Sequence, residues 1–77
     1  MNLMPIKTAK KFGFQVGEQF LDKSALSYCC SNDKKKIIVV DKRLSNEIQS
    51  MLIFYELGLV QDRENNYYHI TFSKEVC

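Results

Sequence analysis

The chain has 77 residues, a formal net charge of +2, 45% apolar and 26% charged residues, and only three Gly and one Pro. That balance describes one ordinary globular domain and excludes a disordered or low-complexity chain. A chain of this length buries only about 60–65% of its unfolded surface, so its core is small. No apolar run approaches the ~18 residues of a membrane span. The start, MNLMPIKTAKKF, lacks the apolar core of a secretory signal. The charge is unevenly spread: residues 1–43 carry nine Lys/Arg against four Asp/Glu (+5), residues 44–77 two against five (−3). Such a split fits an anionic partner or simply two solvated faces. Cys29, Cys30 and Cys77 are an odd set, two of them adjacent, which makes no disulfide framework and fits a reducing cytoplasm. Cys29 and Cys30 read as buried thiols acting as small hydrophobes. Cys77 lacks the aliphatic pair that prenylation requires.

In chain order, residues 1–12 are either a short helix with Pro5 in its first turn and Lys7, Lys10 and Lys11 on its wet side, or an extended arm packing Leu3, Met4 and Ile6. From Gly13 the period changes to two, with Phe14, Val16 and Phe20 alternating against Gln15, Gly17 and Gln19, which predicts a half-buried strand. Residues 25–31 alternate weakly, with Leu26, Tyr28 and Cys30 on one face, and lead into a turn at Asn32–Asp33. Ile37-Ile38-Val39-Val40 is an unbroken β-branched run, the pattern of an interior strand covered on each side. Ser45 is a good N-cap for a helix over 45–57, with Glu47 at its positive end. At 100° per residue, Leu44, Ile48, Met51, Leu52, Tyr55 and Leu59 form one stripe, the expected core face. Gly58 is placed to cap the helix, after which residues 59–61 and 67–73 are expected to pair as a hairpin around the polar DRENN turn. Tyr68, Ile70 and Phe72 would then lie on one side of the last strand, and Tyr67, His69 and Thr71 on the other.

The helix is apolar on a second side as well: Ile53 and Leu57 oppose the core stripe, with Phe54 beside them. A helix apolar nearly all round is normally covered on both sides. The cover can be the N-terminal arm, a second subunit or a foreign protein. Burying three large side chains is worth about 1.5–3 kcal/mol each, enough to anchor an interface.

The run S-x-x-I-x-x-x-L from Ser45, then L-G-L-V, a polar turn and Y-Y-H-I-T, resembles the recognition helix and wing of winged helix-turn-helix regulators over residues 45–73. The resemblance implies a helix whose side chains enter the DNA major groove and a wing whose basic residues touch the backbone. This helix departs from that pattern, with no Lys or Arg between Ser45 and Leu57 and two glutamates, Glu47 and Glu56. Phosphate neutralisation supplies most non-specific DNA affinity, so a −2 helix is poorly suited to a groove.

Catalytic chemistry has little to draw on. His69 is the only histidine, and Cys29-Cys30 lacks the spacing of a zinc knuckle. A Cys–His pairing across a sheet is the remaining enzymatic reading. No phosphate loop, metal site, cofactor or small-molecule substrate is expected. The expected fold is α+β: a small antiparallel sheet of four or five short strands with one long helix packed on it. The expected function is that of a small non-enzymatic binding protein, a regulator or inhibitor of a larger enzyme or complex. Phages and mobile elements commonly encode proteins of this size and kind. Its partner would be another protein or a second copy of itself, met through Ile53, Phe54 and Leu57, with Tyr67, His69 and Thr71 as a second face. The alternative is a winged-helix-like DNA-binding regulator using Lys34, Lys35, Lys36, Lys42, Arg43 and Arg63 on phosphates. Tyr67 and Tyr28 could also stack bases, as in single-strand binders.

Overall fold

A computed structural model describes residues 1–22, 24–61 and 66–76; for residues 75 and 76 it describes the backbone alone. Arg63, Cys77 and most of the DRENN turn therefore lie outside the described residues.

Pro5 occupies the first turn of a helix, where its missing N–H leaves no bond unmade, and residues Leu3–Lys11 form α1 rather than an extended arm. The helix stops at Gly13, whose φ of +86° is open to glycine at little cost. There the amides of Gly13 and Phe14 donate back to the carbonyls of Lys10 and Ala9. The alternating segment then forms β1 (Gln15–Gln19), followed by β2 (Ala25–Ser31) and β3 (Lys36–Asp41). Asn32 closes the β2–β3 turn: its amide donates to Lys35 O at 2.8 Å, and its Oδ1 accepts from the amides of Lys34 and Lys35. Then come α2 (Asn46–Val60), β4 (Tyr67–Phe72) and a single turn, α3 (Ser73–Val76).

The four strands form one sheet in the order β1-β3-β2-β4. β2 is antiparallel to both β3 and β4, but β1 runs parallel to β3, so the sheet is mixed and not the antiparallel sheet expected. The β-branched run explains the arrangement. Ile37–Val40 is interior only if strands flank it on both edges, and β1 supplies the second edge.

The helical expectation changes too. Among the described residues there are two main helices, of 9 and 15 residues, and Gly58 does not end the second. Continuing to Val60 buries Leu57 and Val60 in the core, which outweighs the ~1 kcal/mol cost of a glycine inside a helix. Residues 59 and 60 are therefore helical, and β4 pairs with β2 instead of with them, so the hairpin of a winged helix is not formed. Ser45 caps α2 as expected, its Oγ accepting from the Ile48 amide at 3.3 Å.

α1 and α2 pack on each other and on the same face of the sheet. The core between them and the sheet contains Ala9, Phe14, Cys29, Ile38, Val40, Leu52, Ile53, Leu57 and Val60. Leu26, at a register shift in the β2–β4 pairing, joins this core and not the opposite face with Tyr28 and Cys30. Among the described residues no helix is long and apolar enough to cross a membrane.

Candidate functional site

The orientation of α2 decides what this protein presents to its surroundings. The buried positions of α2 are Gln49, Leu52, Ile53, Glu56, Leu57 and Val60. Much of the expected core stripe is turned outward: Ile48, Met51 and Tyr55 are 41–46% exposed, and of that stripe's helical residues only Leu52 is fully buried, while Phe54 from the other expected side is exposed beside them. The helix thus puts two polar side chains inside and four large apolar ones outside.

Partners in the sheet hold the two inward polar groups. Glu56 is completely buried, and its Oε2 accepts from the hydroxyls of Ser27 and Thr71, each at 2.7 Å. Its Oε1 lies within hydrogen-bond distance, 3.2 Å, of Nδ1 of His69. Thr71 Oγ1 is also 3.4 Å from the same imidazole nitrogen. Ser27 pairs with Thr71 across β2 and β4, and Cys29 with His69, so alternation puts all four side chains on the face beneath α2. Gln49, about two turns earlier, donates through Nε2 to Glu18 Oε2 at 2.8 Å and to the Asp41 carbonyl at 3.1 Å. Its Oε1 is buried, with no partner among the described residues. These bonds tie α2 to β1, β2, β3 and β4, because a buried polar group without partners costs far more than an exposed apolar one.

Glu56, His69 and Cys29 resemble in outline an orienting carboxylate, a base and a nucleophile, the enzymatic arrangement raised by the sequence. The chemistry opposes it. Cys29 is fully buried. Burial, then the nearby Glu56 carboxylate, then Cys30, pushes its thiol from 9.0 up to about 12. At neutral pH it is a protonated, enclosed thiol and not a nucleophile. Among the described residues no group of three or more His, Cys, Asp and Glu could hold a metal ion.

The Cys29 environment gives a signed pH dependence. Its folded pKa is raised above the unfolded value, so its contribution is fully present below about pH 9 and is lost as pH rises toward about 12. Urea unfolding at pH 7, 9 and 10 should show stability falling over the upper interval. Cys29→Ala should fall less, and that difference isolates the thiol from lysines and tyrosines titrating in the same range.

Placement of the sequence-predicted residues divides sharply. Ile53 and Leu57 belong to the chain's own core, in the cluster that includes Ala9 of α1, so they are not available to a partner. The arm does cover this side of α2, but not with Leu3 and Met4, which remain exposed. Phe54 stays on the surface. Thr71 is buried and His69 half-buried under α2. Tyr67 stacks on the His69 ring, centroids 6.2 Å apart, on that same inward face. The second predicted contact face is therefore interior lining. Helical periodicity missed Ile48, Met51 and Tyr55 as surface residues because it ranks positions by apolarity. The available signal was Gln49 and Glu56, seven residues apart on one face, opposite Ser27 and Thr71.

The basic residues also separate. Lys42 and Arg43 lie at the far end of β3 from Lys34–Lys36. Arg43 is committed there, with Nη2 2.6 Å and Nε 2.9 Å from the Asp41 carboxylate and a further bond to the Leu21 carbonyl. The Arg43 hydrogen bond holds the Asp41 carboxyl well below the usual carboxylate range, against the opposing effect of burial. Lys42 sits over the Phe20 ring, 4.6 Å from its centroid.

In comparisons with known proteins, no family model, curated protein or solved structure matches this chain. Its function is therefore read from its own surfaces.

Proposed function

We propose that this chain is a small, non-enzymatic binding protein of the regulator or inhibitor type, acting through a protein interface centred on the outer face of α2. The observation that carries this reading is the inverted helix: Gln49 and Glu56 point in while Ile48, Met51, Phe54 and Tyr55 are left 41–46% exposed. Four side chains of this size leave a few hundred Å² of apolar surface uncovered, the extent that marks interaction sites on small proteins. A lone surface helix would be more stable with its apolar stripe inward, so this arrangement is favourable when a partner covers the outer face. No Lys or Arg lies in α2, which suits an apolar protein contact rather than a DNA groove.

Site-specific photocrosslinking in the native host tests this. A benzophenone side chain at Phe54 should form a discrete protein adduct that is absent with the probe at exposed Lys42, and Met51→Asp should abolish it. An adduct mass of twice the chain identifies a homodimer, and a different mass a foreign partner. Equal labelling from both probe positions would refute the reading.

A further inference from the structure

We propose that the opposite side of the molecule, the sheet face free of α1 and α2 together with the basic end that borders it, binds single-stranded nucleic acid. Two independent features meet there. The first is charge. Because β1 and β3 run parallel, both begin at the same end of the sheet, with Gln15 opposite Ile37. α1 therefore delivers Lys10 and Lys11 to the end where the β2–β3 turn holds Lys34, Lys35 and Lys36. Lys36, which by alternation shares the helix-bearing face of the sheet with Ile38 and Val40, leans at this end toward the start of β1. Its side chain passes 3.8 Å from where a Cβ on Gly13 would stand, and its Nζ lies 5.8 Å from the Phe14 ring centroid. These lysines are exposed, and among the described residues none of them is in an ion pair. Asp33 is the sole acid among the described residues of the turn.

The second feature is an aromatic platform one residue in from that end. Registers place Gln15, Ile37, Cys30 and Tyr68 in one row across the open face, and Gly17, Val39, Tyr28 and Ile70 in the next. Tyr68 is 61% exposed, and its ring lies 6.1 Å from that of Tyr28. Neither row carries an acidic side chain. A Cβ on Gly17, two strands away from Tyr28 in that row, would meet nothing within 4 Å, while Val39 between them is fully buried.

Lysines at a rim neutralise phosphates, and an exposed ring on a flat sheet stacks an unpaired base. A duplex keeps its base faces inside, so this platform selects single strands. An acidic protein would match the lysines but gain nothing specific from Tyr68. The face is distinct from the α2 surface, and this proposal stands or falls apart from that one.

Fluorescence anisotropy with labelled dT12, U12 and a 12-base-pair duplex tests the proposal. Single strands should bind more tightly than the duplex. Raising salt from about 50 to about 200 mM should weaken binding roughly 10- to 100-fold. Tyr68→Ala should cost about 5- to 100-fold while Tyr68→Phe, which keeps the ring, binds as the parent does. Lys34→Ala/Lys35→Ala/Lys36→Ala should flatten the salt dependence, and circular dichroism checks that these surface variants remain folded. No binding at low salt, equal binding of duplex, indifference to Tyr68→Ala, or competition by polyglutamate as effective as by unlabelled oligonucleotide would each overturn the proposal.

Discussion

Glu56→Ala is expected to destabilise the fold by about 3–5 kcal/mol, because it leaves the buried hydroxyls of Ser27 and Thr71 and the His69 imidazole without their shared acceptor. A chain of this length has only about 4–11 kcal/mol in total, so the variant should be largely unfolded near physiological temperature. Alanine is a better helix former than glutamate, so such a loss cannot come from local helix propensity. Glu56→Gln keeps the shape and one acceptor oxygen and should lose less. Urea titration followed by circular dichroism measures both. A triple change, Ser27→Ala/Glu56→Leu/Thr71→Val, removes donors and acceptor together and should recover much of the loss, as apolar replacement of a buried polar cluster often does. If Glu56→Ala unfolds at the parent's urea concentration, the cluster does not hold α2 in place.

Leu57→Asp and Phe54→Asp should part company. Leu57 is 3% exposed and sits in the core with Ala9 and Ile53, so a carboxylate there has no partner and the chain should fail to fold, a loss of more than about 4 kcal/mol. Phe54 is 45% exposed, so its aspartate should leave a cooperative thermal transition and native circular dichroism. A folded Leu57→Asp would mean that α2 is rotated toward the stripe that periodicity suggests, and an unfolded Phe54→Asp would mean that the chain itself covers the Phe54 side.

That rotation marks where sequence reasoning stops. Alternation in residues 14–20, the β-branched run at 37–40 and the Ser45 cap each reflect a local rule, and each element forms where the rule places it. Face assignment on α2 is different, because two apolar sides leave periodicity with no minimum to choose. The choice is made by Glu56 and Gln49, whose partners, Ser27, His69 and Thr71 for one and Glu18 and the Asp41 carbonyl for the other, come from strands distant in the chain. Gly58 illustrates the same point: a strong local stop signal yields to the burial of Leu57 and Val60.

The sequence alone determines a small α+β domain, the segments that form β1 to β4 and a helix with more apolar surface than the domain can bury, because these follow from propensity, period and length, whereas the strand expected at 59–61 does not form. Tertiary structure decides which of that helix's faces remains outside, that β1 flanks β3 in parallel, and that Lys10 and Lys11 stand at the same end of the sheet as Lys34–Lys36. Those outcomes depend on hydrogen-bond partners and strand order, which no single segment encodes.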